Sequence, residues 1–290
     1  MAMLMMDLLH VIPAKAQPAS AAPIVRLAPS QEQDQNLNGN IIASQTDTDL
    51  SKDTENPIAH SIVLPLRYEA AFNNGAYRAT KRTFLISQAL IPFQLSDDWV
   101  LITRTKLTAV SQPPTKLGSH WTSGLSNSYT TFFLSPREGS GLYWGVGPVL
   151  YYPSSMDVAS SIKSWGTGPS AAFIKRDQSP WVLGLLINNI WSFGNSPKNS
   201  DRINTLLVNP VFSYHFGDGW SVGSSPSITA NWLSGEGQRW TVPVGGGISK
   251  LIRLGRQPVQ LAVSGFYNAI RPRSGNDDWV FQTTLTFVYP

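Results

Sequence analysis

The sequence predicts an all-β chain: a transmembrane antiparallel β-barrel of about twelve strands, preceded by a disordered N-terminal lead-in. Three observations carry this expectation. Strand-length segments alternate apolar and polar residues, their connections alternate short and long, and Trp residues gather at strand ends. The last segment, residues 277–290 (DDWVFQTTLTFVYP), is the clearest. Trp279, Phe281, Leu285, Phe287 and Tyr289 share one parity, and Gln282, Thr284 and Thr286 share the other. A strand alternates in this way when one face meets an apolar surround and the other tolerates water.

Composition agrees. Only 14% of the 290 residues are charged, against about 25% in an ordinary soluble domain, while aromatics reach 11% with ten Trp. Such a surface does not all face water. No window approaches the roughly 18 consecutive apolar residues of a membrane helix, so a membrane would have to be crossed by strands. The absence of Cys excludes disulfides and thiol chemistry. A net charge of +4 with scattered Lys and Arg lacks the clustered footprint of nucleic-acid binding.

The elements follow in order. Residues 1–16 hold a short apolar run, interrupted by Asp7 and His10, then Ala14-Lys15-Ala16, an A-x-A pattern that suits signal-peptide cleavage before Gln17. Residues 17–56, rich in Gln, Asn, Ser, Thr and Asp, read as a disordered polar linker with too little apolar surface to fold. Residues 57–290 form the barrel. Its strands are expected near 61–72, 80–95, 99–111, 125–135, 142–153, 162–175, 181–193, 203–216, 220–233, 240–254, 259–271 and 279–289. Compact turns at 96–98, 136–140, 176–180, 217–219 and 255–258 alternate with longer polar stretches such as 112–120 and 194–202. That alternation, with an even count, fits a bacterial barrel with both termini on the periplasmic side.

Trp99, Trp181, Trp220 and Trp279 open strands, while Trp121, Trp191, Trp232 and Trp240 lie near opposite ends, reading as two membrane girdles. Pro148, Pro169, Pro210, Pro226 and Pro243 interrupt strands, where each removes a ladder donor. If the Trp parity marks lipid, then Arg67, Glu69, Gln88, Arg104, Lys106, Asn188, Asn204, Asn231, Gln260, Asn268 and Gln282 face the lumen. The run Ser221, Gly223, Ser225, Ser227 and Thr229 is small and polar, which favours a solvated channel over a packed plug. A basic lining favours anions, unless these charges pair with one another and stiffen the wall.

Catalytic and metal-binding patterns are sparse. His10, His60, His120 and His215 form no metal-ligand spacing, and no cofactor is expected. Ser213 and His215 share a strand face, the one arrangement that suggests an enzyme, a barrel lipase. Gly245-Gly246-Gly247 lacks the Lys and Ser/Thr of a phosphate loop and reads as a bulge, curvature or close-packing device.

A run of blocks carries a family resemblance: NPIA at 56–59, FFLSP at 132–136, WGVGPV at 144–149, FGDGW at 216–220, SSPSITANW at 224–232 and WTVPVGGG at 240–247. Over residues 56–290 the chain resembles the bacterial outer-membrane transporter proteins of the MetA-pathway phenol degradation type, often labelled neuromedin U. It departs from their pattern at Asn189, where His is common, and over 119–127, where an acidic element is missing. The resemblance implies a Gram-negative outer-membrane barrel that passes small solutes, aromatic or other hydrophobic compounds among them, and is inserted by the barrel-assembly machinery. The alternative is a structural or interaction barrel closed to solutes.

Overall fold

The computed structural model describes residues 46–74, 80–114, 120–137, 139, 141–153, 163–193, 202–272 and 277–289. The expected signal peptide and residues 17–45 of the expected linker lie outside this set, as do 115–119 and 194–201 of the two polar stretches.

One short helix, α1 (Asp47–Glu55), precedes the sheet. The strands are β1 (Ile62–Asn74), β2 (Thr80–Gln94), β3 (Trp99–Gln112), β4 (Thr122–Pro136), β5 (Leu142–Tyr152), β6 (Gly166–Arg176) and β7 (Trp181–Ser192). They continue as β8 (Asn204–His215), β9 (Trp220–Ser224), β10 (Ile228–Asn231), β11 (Trp240–Leu254), β12 (Gln257–Ile270) and β13 (Trp279–Tyr289). β9 and β10 are two halves of one stave, since each pairs with both β8 and β11. The sheet closes where β13 pairs antiparallel with β1, from Ile62 opposite Tyr289 to Phe72 opposite Trp279. The result is a closed antiparallel barrel of twelve staves. Closure leaves no edge, so the ladder satisfies the backbone polar groups that lipid cannot.

The alternation places side chains as the pattern requires. On β3, Trp99 and Leu107 point out while Val100, Ile102 and Val110 are buried inside; on β7, Leu183, Leu185 and Ile187 point out while Val182, Leu186 and Asn188 are buried. Aromatic contacts form two outer belts. Near the short turns Trp99 meets Trp144, Trp181 meets Tyr214, and Phe216 stacks on Trp220. At the other end Trp232 meets Trp240 and Tyr267 meets Trp279. Trp279 opens a strand that descends from the longer loops, so it belongs with Trp191, Trp232 and Trp240 rather than with Trp99, Trp181 and Trp220.

Two expectations are corrected. The linker is not unstructured to residue 56, because Asp47–Glu55 is helical. Thr46 caps it by accepting from Asp49 N at 3.1 Å, Asp47 and Asp49 sit in its first turn and Lys52 in its last, charges that suit the helix dipole. Nor is the whole lumen solvated. At the short-turn end Ile58 and Ala59 pack against Leu90, Val100, Ile102, Phe133, Ile174 and Val182 in one buried cluster. The inner face there is apolar, so both parities read apolar in sequence and a packed interior was not distinguishable from lipid contact.

Candidate functional site in the barrel lumen

α1 forms the floor. It has one apolar anchor, Leu50, packed on Leu251 of β11 and Val288 of β13; polar contacts to the wall supply the rest. Arg176, at the end of β6, reaches Asp53 at 2.5 Å and donates to the Asp49 carbonyl at 3.0 Å. Lys52 Nζ donates to the carbonyls of Asp177 and Ser179 in the following turn, at 3.1 and 2.7 Å. Gln260 of β12 donates to Ser51 Oγ at 3.1 Å and accepts from Thr54 Oγ1 at 2.5 Å. Arg253 holds Asp47 at 2.7 Å. Burial pushes the Asp53 carboxyl above its ordinary range, and the Arg176 guanidinium pulls it back; burial is the larger effect.

Above the floor lies a cavity of about 450 Å³. Thr54, Glu55, Asn56 and Pro57 line its base, and Arg67, Gln88, Arg104, Lys106, Asn188, Gln260 and Gln282 line its walls. Arg67 Nε donates to Thr284 Oγ1 at 3.3 Å. Gln88 turns its carboxamide oxygen to the Arg104 guanidinium, which also hydrogen-bonds Tyr129. The Lys106 ammonium lies 5.7 Å from the centre of the Tyr129 ring. Glu69 accepts from Gln282 Nε2 at 3.0 Å, which leaves the carboxylate beside the cations without binding any of them at ion-pair distance. Among the described residues no carboxylate comes within ion-pair distance of Arg67, Arg104 or Lys106. Asn188 is 2% exposed, and neither its amide nitrogen nor its oxygen has a partner.

Of the sequence-predicted lumen residues, one lies on the outer face and two keep the inner parity but sit at the rim. Asn204 belongs to the outer parity of β8, where its Oδ1 accepts from Asn189 at 3.1 Å; Asn189 in turn accepts from the Trp232 indole at 2.9 Å. Asn231 ends β10, and its side chain accepts from Leu233 N to shape the turn. Asn268 sits at the longer-loop rim, donating to the Asp277 carbonyl at 2.7 Å. Near the rims an Asn is used by turns and caps, which parity does not register. Tyr129 was missed because an aromatic on a barrel strand reads as lipid-facing.

Ser213 and His215 come together, with Oγ 3.2 Å from Nε2, both buried at the floor. Glu55 approaches the same Nε2 at 3.5 Å, and Nδ1 has no partner. A catalytic triad needs the carboxylate on Nδ1, opposite the serine. Here the cluster fastens the end of α1 instead, with Ser221 donating to Glu55 at 3.1 Å.

No family model and no curated protein matches the chain. Among solved structures it is similar to the COG4313 outer membrane channel from Pseudomonas putida F1, with a TM-score of 0.59 and 18% identity over 79% of this chain and 96% of that one. The chain has the fold of an outer-membrane β-barrel. A second barrel, the NanC porin, matches with a TM-score of 0.50 and 8% identity over 78% of this chain and 98% of that one. Identities this low carry the architecture, and the solute is left to the residues of the lumen.

Proposed function

We propose that the barrel is a non-enzymatic channel of the outer membrane that passes small anionic solutes. The observation that carries this reading is the set of three lumen cations, Arg67, Arg104 and Lys106, none of them within ion-pair distance of a carboxylate among the described residues. A cation so placed keeps its field for a passing solute, whereas one in an ion pair spends it on the wall. The apolar members of the same cavity wall, such as Leu207, Val211 and Phe266, accommodate an organic anion with an apolar body. A leader at residues 1–16, insertion by the barrel-assembly machinery and kinship with the phenol-degradation barrels belong to this reading.

Reversal potentials across a salt gradient in a planar bilayer test it. The full chain is expected to prefer anions, and Arg104→Gln with Lys106→Gln to move the reversal potential toward zero. Cation preference in the full chain, or no change on substitution, would refute the assignment. The packed floor favours a second reading, a barrel closed to solutes, which predicts no current under any of these conditions.

A further inference from the structure

The ninth stave loses its ladder halfway along the wall. On either side of residues 225–227 the pairing to β8 keeps one register, and so does the pairing to β11. Carried across the gap, that register sets Pro226 opposite Pro210 on β8 and Ser227 opposite Pro243 on β11. Proline has no N–H, so these rungs lack donors, and the gap lies where the sequence cannot zip. Backbone polar groups freed at membrane depth persist only beside protein or a water-filled cavity.

Side-chain clips replace the missing rungs. Asn209 Nδ2 donates to the carbonyls of Ser225 and Pro226 at 3.2 and 2.8 Å, and Ser224 Oγ donates to the Gly245 carbonyl at 2.6 Å. Gly223, Gly245 and Gly247 add no side chain to the inner face beside the gap, and Ser225 and Ser227 add only small ones.

The lumen cavity reaches the inner side of the gap, with Ser225, Ser227 and Thr229 in its lining. On the intact rungs beside the gap its lining includes Phe212 and Ile248, paired with Ser224 and Val222, and on β12 Val263, all three about half exposed on the outer face. These residues also border an apolar groove of about 820 Å³ on the outside, with Trp181, Val222 and Phe281 along it. Inside, Asn188, 2% exposed with its amide unpartnered, belongs to the cavity wall.

We propose that the gap between β9–β10 and β11 is a lateral portal through which an amphipathic anion moves between the lumen and the membrane. The head group is held at Arg67, Arg104 and Lys106, and the apolar tail passes the gap at residues 225–227 into the outer groove beside it. The proposal rests on the anion-channel reading for its head-group site and adds the route. The axial path is narrowed by α1 and the packed segment behind it, which restricts it to small solutes.

A decanesulfonate carrying a diazirine at its chain end tests this in lipid nanodiscs, with adducts mapped by mass spectrometry. The expected result is labelling of Val222, Ile248 and Val263 that falls about tenfold in Arg104→Gln/Lys106→Gln. A Ser227→Cys/Pro243→Cys pair, in a chain with no other Cys, should abolish groove labelling when oxidised and restore it when reduced, with lumen labelling kept throughout. Pro226→Val/Pro243→Val, which restores two donors, should lower groove labelling as well and decides the matter if the cysteines do not join. Groove labelling indifferent to all these changes would mean that the probe arrived from the bilayer, and labelling confined to the lumen would mean a sealed wall; either overturns the portal. Reversal potentials on the same samples separate the two claims, since selective current with a sealed wall refutes the portal alone, and groove labelling without anion preference refutes the channel reading alone.

Discussion

Asn188 pairs a structural cost with a functional position. A buried amide with both polar atoms unpartnered costs about 1–3 kcal/mol. Asn188→Leu should therefore raise the thermal midpoint in detergent while weakening retention of an anionic solute in the lumen; a lowered midpoint would show that the amide is satisfied in place. Arg176→Ala should act oppositely, leaving Asp53 buried without its cation and loosening α1 by about 3–5 kcal/mol, read as faster proteolysis within 46–61. The docked Asp53 carboxyl sits above its ordinary range, so docking takes up a proton. The helix should then be held more firmly as pH falls through that range and less firmly as it rises, a trend that Asp53→Asn should flatten. Cutting of residues 46–61 in mild acid and in neutral buffer measures it. Much of this site was legible, because Trp99 and Leu107 fixed the outer parity of β3 and so turned Arg104 and Lys106 inward. Asn204 was misplaced because β8 carries no Trp to mark its outer parity, while Asn231 and Asn268 keep the inner parity but are used by turn and rim hydrogen bonds.

Among the elements, α1 was hidden where the strands were plain. Helix recognition depends on an apolar stripe, and Leu50 is its one fully buried apolar residue. Thr46 with Asp49 three residues on was a readable cap, but the polar composition around it outweighed that sign. The helix is specified by where it sits, between Arg176, Gln260 and Glu55's partners, and such contacts join residues far apart in sequence. Deleting residues 46–59 should keep the barrel and enlarge its unit conductance severalfold; an unchanged conductance would place the constriction elsewhere. The interrupted stave was half legible, since Pro210, Pro226 and Pro243 are conspicuous in sequence, but only the shared register puts them opposite one another or a missing rung.

At the scale of the molecule, closure of β13 on β1 and the two Trp belts account for both the short-charge composition and the even stave count. The closed ladder predicts a barrel that stays folded in mild detergent unheated and shifts in gel mobility on boiling. In this reading the lumen is the solute path, floored by α1 and lined by cations that no carboxylate among the described residues approaches at ion-pair distance. Single-channel recording of the full chain beside the form lacking 46–59 tests that most directly. Small anion-selective steps that grow when the floor is removed, with selectivity kept, are the predicted result; steps of equal size, or silence from both folded barrels, would contradict it.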